Sequence, residues 1–351
     1  MTSHMMSIPL PDSITNVTAL EDLLSDPPPY VVRAMRDIDG DLLVLGVAGK
    51  MGPSLARMAR RASDAAGVRR RIVGVARFSA PEHEAELQAH GVETIRCDLL
   101  DEQAIDRLPD AANVIFMAGR KFGSTGFEPL TWAMNSYVPA LVCRRYPKSR
   151  VVAFSTGNVY GLARAGTGGS TEADPPQPAG EYAMSCLGRE RMFEYFSIAQ
   201  GIRTAILRLN YAVEMRYGVL ADLARRVAAG QAIDVTMGYF NAIWQADANA
   251  MALASLGQAA SPAVILNIAG PEELSVRATS EELAGRLGRA VSFTGQEADD
   301  ALLSNGARGW SLFGPPRVDA PRLIAWTADW IARGGVSHGK PTHFESRDGR
   351  F

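Results

Sequence analysis

The chain has 351 residues, and its 38 acidic and 36 basic side chains give a formal net charge of −2. This balance argues against nucleic acid or an anionic membrane surface as the main partner. No apolar run reaches the roughly 20 residues that a membrane-spanning helix needs, and the first residues are polar, unlike a secretory signal. Cys97, Cys143 and Cys186 lack metal-type spacing and form a sparse, odd set, which is typical of the reducing cytoplasm. We therefore predict a cytoplasmic protein without a metal, a membrane or a nucleic-acid partner.

The first 40 residues are rich in proline and are predicted to be an N-terminal extension. Two short helices are expected there, near Val17–Leu24 and Val31–Asp37. Asp39-Gly40 is a turn signal, and the apolar run Leu42–Leu45 after it is typical of a buried parallel strand.

From this strand onward, strand and helix patterns alternate. Further strands are predicted at Arg71–Ala76, Glu93–Arg96, Val114–Met117, Val151–Ser155 and Thr204–Leu209. Helices are predicted at Pro53–Ala66, Asp101–Leu108, Glu128–Tyr146 and Glu181–Ala199. Such alternation predicts an α/β fold with a Rossmann-like, doubly wound parallel sheet.

Beyond Asn210 the pattern loosens into mixed elements, with helices near Gly218–Ala229, Gln245–Gly257 and Thr279–Leu287 and short strands at Val264–Ile268 and Val291–Thr294. We interpret residues 41–210 as a nucleotide-binding domain and residues 211–335 as a smaller C-terminal substrate lobe interleaved with it. Residues 336–351 are then a tail.

A glycine-rich turn joins the first strand to the first helix of the alternating region. It contains Gly46, Gly49, Lys50, Met51 and Gly52, and Pro53 suits the first turn of the helix. Gly46 permits a tight turn, Gly49 lets the backbone approach a pyrophosphate, and Gly52 lets the helix pack on the strand. The helix N-terminus then faces the phosphates. We predict that these five residues bind a dinucleotide, NADP or NAD.

The second predicted strand bears on which dinucleotide binds. An NAD site usually has an acid at the end of this strand, to bond the ribose 2′-hydroxyl. Here the strand ends at Ala76-Arg77-Phe78, and no acid lies between Ala65 and Pro81. Arg77, with help from Lys50, is suited to a 2′-phosphate. NADP is therefore favoured, and NAD stays open.

Later segments carry a set of motifs in a fixed order. Phe154–Gly161 reads F-S-T-G-N-V-Y-G, Tyr182 follows it, and Asn135 precedes it in a predicted helix. Together with the GxxGxxG spacing of the glycine turn, these motifs resemble the extended short-chain dehydrogenase/reductase family, the NAD(P)-dependent sugar epimerases and dehydratases. The resemblance runs from Leu42 to about Gly314.

The resemblance implies roles for several residues. Thr156 and Tyr182 would be catalytic, with the tyrosine moving a proton to or from an oxygen of the substrate. Further cofactor contacts would come from Asp98, Leu99, Ala118, Gly119 and Tyr182. Substrate contacts would come from Thr156, Asn158, Asn210, Tyr211 and Trp244. The expected ligand is carbohydrate-like, the expected reaction is oxidoreduction or epimerisation at a sugar or sugar-acid hydroxyl or carbonyl, and a homodimer is allowed.

One family residue is missing. The family has a lysine four residues after the tyrosine, where its charge lowers the phenol pKa from about 10, but this chain has Cys186 there. Of the four lysines, Lys121 follows the fourth strand on the side where ligands of parallel sheets bind, and we predict that it replaces the missing charge. The alternative is a sensor or regulatory protein that binds NAD(P) without catalysis.

Overall fold

The computed structural model describes residues 9–121 and 126–349, and its centre is a parallel sheet of seven strands. The strands are β1 (Leu42–Leu45), β2 (Ile72–Ala76), β3 (Glu93–Arg96), β4 (Asn113–Phe116), β5 (Arg150–Thr156), β6 (Arg203–Leu209) and β7 (Val264–Ile268). Most of their residues are apolar and buried, as expected for a sheet covered on both faces. The predicted Rossmann-like α/β fold is confirmed.

Helices cover the two faces of the sheet. In the N-terminal half they are α1 (Val17–Leu24), α2 (Pro29–Asp37), α3 (Gly52–Ala65), α4 (Pro81–Ala89), α5 (Glu102–Asp106), α6 (Glu128–Trp132) and α7 (Val138–Arg145). In the C-terminal half they are α8 (Gly180–Gln200), α9 (Val219–Ala228), α10 (Gln245–Ala254), α11 (Val276–Leu287), α12 (Ala307–Phe313) and α13 (Ala320–Ala332). Within the described ranges, no helix has both the length and the apolarity to cross a membrane.

The strand order places a ligand site at one edge of the sheet. The order is β7-β6-β5-β4-β1-β2-β3, so the chain runs outward from β1 to β3 and then returns to β4 on the other side of β1. Leu45 at the end of β1 pairs with Val75 of β2 and with Phe116 of β4. Loops leave β1 and β4 in opposite directions here, and ligands of doubly wound sheets bind in the resulting crevice.

The first 40 residues were expected to be an extension, and their described part packs into the body of the protein. Leu20, Leu24, Val31 and Met35 are fully buried, on helices that contact α3 and α10. Arg70 fixes this segment by donating to the carbonyl oxygens of α2 and the residue after it. These residues were hard to place from sequence because their apolar side chains are spread over two short helices among prolines.

The region beyond β6 contributes both to the central sheet and to a peripheral lobe. β7 was predicted as an element of the smaller lobe, but it pairs with β6 at the edge of the main sheet. The lobe itself has short strand pairs: Ala163–Arg164 with Asp300–Ala301, Ala212–Val213 with Ile243–Trp244, Ile233–Asp234 with Phe293–Thr294, and Tyr239–Phe240 with Leu274–Ser275. The tail folds back on this lobe, with Phe344 buried beside Phe240.

Candidate active site at the carboxyl ends of β1, β4 and β5

The glycine turn after β1 has the geometry that phosphate binding requires. Gly46 has a φ of +88°, and a Cβ there would lie 2.6 Å from the amide nitrogen of Ala118. A Cβ on Gly52 would collide with the carbonyl of Val47, so helix α3 packs against the turn at this point. Gly49 is exposed, so bare backbone faces the cavity. The turn therefore fits the pyrophosphate of a dinucleotide, held by backbone amides and the N-terminus of α3.

A cavity of about 620 Å³ opens beside this turn, a volume within the usual range of ligand sites. It gathers most of the residues that the sequence singled out. The predicted residues that line it are Gly46, Gly49, Lys50, Met51, Gly52, Arg77, Gly119, Lys121, Thr156, Asn158, Tyr182, Asn210 and Tyr211.

Four predicted site residues are not among those that line the cavity. Trp244 was expected to contact substrate, and this expectation is corrected: its ring is buried and packs edge-on against Trp326, with 5.6 Å between the ring centroids. Ala118 and Leu99 are buried in the apolar core. The exposed Asp98 accepts a hydrogen bond from the amide of Leu100.

Tyr182 and Thr156 meet inside the cavity. Thr156 ends β5, and its hydroxyl donates to Asn158 Oδ1 at 2.9 Å while accepting from the Asn158 amide at 3.2 Å. Tyr182 comes from the first turn of α8, and its phenol hydroxyl is in hydrogen-bond contact with the Thr156 hydroxyl and the Cys186 thiol. The two hydroxyls are thus placed to hold one substrate oxygen between them.

The surroundings of Tyr182 keep its phenol protonated at neutral pH. Burial is the largest cause that raises its pKa well above the ordinary value, and the contact with Cys186 adds to the rise. Cys186 is fully buried, and burial raises the pKa of its own thiol as well. The charge of Arg189 and the contact with Thr156 act in the opposite direction on Tyr182. The Cys186 position therefore favours the neutral phenol, where the family lysine would favour the phenolate.

Arg189 is a buried cation in the lining of the cavity that the sequence analysis missed. It lies seven residues after Tyr182 on α8, which is almost two full turns, so both side chains share one face of the helix. Its guanidinium donates to the carbonyl of Phe154 and to Asn135 Oδ1, each at 2.7 Å. A Cβ on Gly119 would strike this guanidinium, so the glycine leaves it access to the cavity.

A π-helical turn presents Asn135 to Arg189. One continuous helix was predicted over Glu128–Tyr146, but the structure has a π-helical turn at Ala133–Tyr137 between α6 and α7. Such turns add a residue to the helix and are frequent at functional sites. The buried Asn135 side chain accepts from the amide of Arg120 at 2.9 Å and donates to Ser185 Oγ at 2.9 Å. It therefore ties β4, α8 and Arg189 together.

A second buried ionic network anchors α8 to the sheet beneath the cavity. Arg208 on β6 donates to the Glu190 carboxylate from two nitrogens. Its Nε–H is shared between the two carboxylate oxygens at 3.0 and 3.2 Å, and a terminal nitrogen donates to one of them at 2.7 Å. Ser155 also donates to Glu190 at 2.5 Å, and Arg208 donates to the Tyr160 hydroxyl at 2.7 Å. All four side chains are buried. This network fixes the position of α8, and with it Tyr182, relative to β5.

Three of the four lysines line the cavity. Lys121 reaches it as the sequence predicted: its Nζ lies 5.8 Å from the centre of the Tyr182 ring, and burial lowers its pKa to about 8. Lys50 was expected to help bind a 2′-phosphate, but its ammonium lies over the ring of Tyr217. Burial lowers its pKa strongly, and the charges of Lys121 and Lys340 lower it further. Lys50 is therefore turned toward the catalytic end of the cavity.

The tail supplies two lining residues that sequence reasoning missed. Lys340 and Thr342 line the cavity together with Tyr217. Spacing along α8 was a usable signal for Arg189, whereas no local pattern indicates that Lys340 returns to a site formed some 300 residues earlier in the chain.

The chain matches a known protein family over more than half of its length. The model of the NAD-dependent epimerase/dehydratase family matches residues 42–239, so the chain belongs to this family. No curated protein sequence matches it. The expectation of an enzyme of this class with a nicotinamide cofactor is confirmed.

Solved structures with the same fold are distant in sequence. MoeE5 in complex with UDP-glucuronic acid and NAD has a TM-score of 0.69 and 21% identity over 84% of this chain and all of that one. The UDP-glucuronic acid 4-epimerase of Bacillus cereus, in complex with NAD, has a TM-score of 0.69 and 19% identity over 84% and 99% of the two chains. The dTDP-glucose 4,6-dehydratase of Bacillus anthracis, also with NAD, has a TM-score of 0.71 and 15% identity over 84% and 97%. The predicted homodimer and cytoplasmic location stay predictions.

Proposed function

We propose that this enzyme transfers a hydride between NAD(P) and a carbon of a sugar or sugar acid that carries a hydroxyl or carbonyl oxygen, with Tyr182 and Thr156 at that oxygen. The observation that carries the proposal is the contact between the Tyr182 and Thr156 hydroxyls in the cavity beside the glycine turn. The bound nicotinamide supplies the hydride acceptor or donor. The protein supplies the proton, the alignment and the exclusion of water.

The raised pKa of Tyr182 determines which proton-transfer role the phenol can take at neutral pH. A protonated phenol donates its proton to a carbonyl oxygen as that oxygen becomes a hydroxyl, while Thr156 holds the same oxygen. The reverse reaction requires a base, and the neutral phenol is a poor one. We therefore infer that Tyr182 acts as the general acid when a carbonyl is reduced, and that oxidation of a hydroxyl, which requires the phenolate, becomes faster as the pH rises.

Arg189 takes the place of the missing lysine in this proposal. Its charge is the larger of the two causes that lower the pKa of Tyr182, the other being the contact with Thr156. As Tyr182 loses its proton, the guanidinium stabilises the phenolate that remains. Lys121 was our sequence-based candidate for this role, and we now propose Arg189 in its place.

We also propose NADP as the preferred cofactor. Arg77 follows β2, is exposed and lines the cavity, and no acid stands at the end of that strand to bond a ribose 2′-hydroxyl. The structural relatives named above were solved with NAD, so the preference requires its own measurement.

A product screen tests the proposed function. The enzyme is incubated with oxidised or reduced NAD or NADP and a panel that includes UDP-glucose and UDP-glucuronic acid together with keto-sugars. Nicotinamide absorbance and chromatography of the products are both needed, because an epimerase recycles its hydride and shows no net absorbance change. We expect turnover that Tyr182→Phe abolishes.

A second function, cofactor sensing without catalysis, is favoured only by Cys186, which replaces the lysine and raises the pKa of Tyr182. Tight binding of NAD(P) with no product from any substrate, and equal behaviour of the Tyr182→Phe variant, would support the sensor and contradict the enzyme.

The role of Arg189 has a separate test in the pH dependence of turnover. Arg189→Met should move the basic limb of the profile upward, because it removes the charge that favours the phenolate. Arg189→Lys, which keeps the charge, should restore the limb toward its original position. Circular dichroism and cofactor titration of both variants separate this effect from loss of folding. An unmoved limb in Arg189→Met would contradict the assignment.

A further inference from the structure

In the part of the chain that the structure describes, the charged side chains that line the cavity are all positive. Six cations line it, namely Lys50, Arg77, Arg120, Lys121, Arg189 and Lys340, and no carboxylate is among the described residues that do so. The whole chain, in contrast, has net charge −2. A cationic surface of this kind raises the local concentration of anions and strengthens their binding where water is excluded.

Three of the six cations form a group at the catalytic end, which we call the lysine cluster: Lys50, Lys121 and Lys340. Lys121 lies beside the Tyr182 ring and Lys50 lies over the Tyr217 ring. Lys340 is exposed at the mouth of the cavity, and its charge acts on Lys50, as does that of Lys121. Bringing ammonium groups together while partly burying them is unfavourable unless an anion compensates them.

The nearest acids already have other partners. Glu214 accepts from Arg216 Nε at 2.9 Å and faces His338 Nε2 at 3.2 Å. Asp222 accepts from both the amide and the hydroxyl of Thr342, at 2.8 and 2.7 Å. The charges of both acids also act on Lys50, and that of Asp222 acts on Lys121, in the direction that favours the ammonium form. Lys50 and Lys121 thus share the influence of acids that also hold other partners.

The tail holds Lys340 in place rather than leaving it on a loose end. The Thr342 contacts lie two residues after it, and Phe344 is 1% exposed against Phe240. Arg226 pairs with Glu345 at 2.7 Å, and Arg347 donates to the carbonyl of Asp300 at 3.0 Å. Four successive anchors thus fix the segment that carries the lysine.

We propose that the lysine cluster binds an anionic group of the substrate, a carboxylate or a phosphate, next to the carbon at which Tyr182 acts. This inference rests on the proposed function and narrows its substrate class to acidic or phosphorylated sugars. The same chemistry has a second source, the phosphates of the cofactor. The position of Lys121 beside Tyr182, rather than beside Arg77, favours the substrate.

Lysine labelling tests the proposal without requiring turnover. The chain has four lysines, and Lys148 lies outside the cavity, so it serves as an internal control. The protein is saturated with NADH or NADPH and treated by reductive methylation, and the modification of each lysine is measured by mass spectrometry. The added probes are inorganic phosphate, UDP-glucuronic acid and UDP-glucose.

We expect the cofactor alone to change labelling of Lys121 and Lys340 less than twofold. Phosphate or UDP-glucuronic acid should then reduce labelling of all three cluster lysines at least fivefold and leave Lys148 unchanged. Protection by UDP-glucuronic acid but not by UDP-glucose would assign the group as a carboxylate, and equal protection by both would assign it as a phosphate. Protection of the whole cluster by the cofactor alone, or by no anion, would overturn the proposal.

A pair of variants provides an independent measurement. Lys340→Gln should raise the half-saturating concentration of the protecting anion about fivefold to tenfold, whereas Lys148→Gln should not change it. Cofactor affinity should be the same in both variants. If Lys340→Gln weakens cofactor binding instead, the cluster serves the cofactor and the proposal is wrong. Failure of the proposed function is distinct from these outcomes, because it would leave anion protection intact while no product forms.

Discussion

Two walls of the cavity are built in different ways. The catalytic wall consists of β5 and α8, where Thr156, Tyr182, Arg189 and the buried Glu190 network are held by hydrogen bonds to backbone and side chains. The second wall is the lysine cluster, which comes from three segments distant in sequence and has members that repel one another. The first wall gains stability from its contacts. The second brings ammonium groups together, and a bound anion would reduce the repulsion between them.

The largest expected effect is on kcat, when the reacting group of the catalytic wall, the Tyr182 hydroxyl, is removed. Tyr182→Phe keeps the ring but removes the proton donor, and general acid catalysis typically contributes about 10²–10⁴-fold to a rate. We expect kcat to fall by that factor while cofactor affinity, measured by titration of nicotinamide fluorescence, changes little. A variant that retains more than a tenth of the activity would show that another group moves the proton.

The next effect addresses what holds the catalytic wall in place. Glu190→Gln leaves Arg208 buried with its charge uncompensated, and breaking a buried pair in this way costs about 3–5 kcal/mol. Urea denaturation followed by circular dichroism measures the loss. Glu194→Gln is the matched control on the same helix, since its partner Arg191 is exposed and such pairs contribute about 0–1 kcal/mol. Equal losses in both variants would contradict the anchoring role of the network.

The elements of the fold differ in how well the sequence predicts them. The bounds of β3 and β7 match those predicted, because each is a short run between turn residues. The pairing of β7 with β6 was missed, since a partner more than 50 residues away leaves no local pattern. The π-helical turn at Asn135 was also missed, because one extra residue within a helix barely alters the hydrophobic periodicity.

The site shows the same division. Thr156 and Tyr182 came from a motif, and the structure brings them together. Arg189 was detectable in principle from its spacing along α8, because residues seven apart lie on one helix face. Lys340 was not, because its position depends on how the whole tail packs. A motif therefore indicates the two hydroxyl groups, whereas a charge such as that of Lys340 can be located only from the folded tail.

The third prediction concerns the adenosine end, away from both walls. If Arg77 contacts a 2′-phosphate, Arg77→Ala should reduce the preference for NADPH over NADH by about tenfold, which corresponds to about 1.4 kcal/mol. Fluorescence titrations of both reduced cofactors measure the ratio, with Arg69→Ala as a control for a general loss of positive charge. If the ratio of NADPH to NADH affinity is unchanged in Arg77→Ala, Arg77 does not cause the preference for NADP.

The smallest expected effect is a gain in the free energy of unfolding when Lys121 is removed. A gain would distinguish the lysine cluster from the catalytic wall, where removing Glu190 is expected to destabilise the protein. Burial lowers the pKa of Lys121 from 10.5 to about 8. At pH 7 the lysine is therefore charged in both states, and its ammonium group has a higher free energy in the folded chain than in the unfolded chain. Between pH 8 and 10.5 the unfolded chain binds the additional proton, and stability therefore rises with pH across this window. Lys121→Met should remove that cost and raise the free energy of unfolding by about 1 kcal/mol at pH 7, a figure reduced for solvent screening.

The advantage of Lys121→Met should shrink as the pH rises from 8 toward 10.5, because the wild-type lysine is then neutral in the folded state and is losing its proton in the unfolded state as well. Urea denaturation at pH 7 and pH 9.5 measures the change, and Lys148→Met, outside the cavity, should show no pH-dependent gain. A Lys121→Met variant that is less stable than the wild type at pH 7 would mean that the ammonium is already compensated inside the protein. An anionic ligand would then gain little by reducing the repulsion within the lysine cluster. The two walls would differ only in which segments of the chain form them.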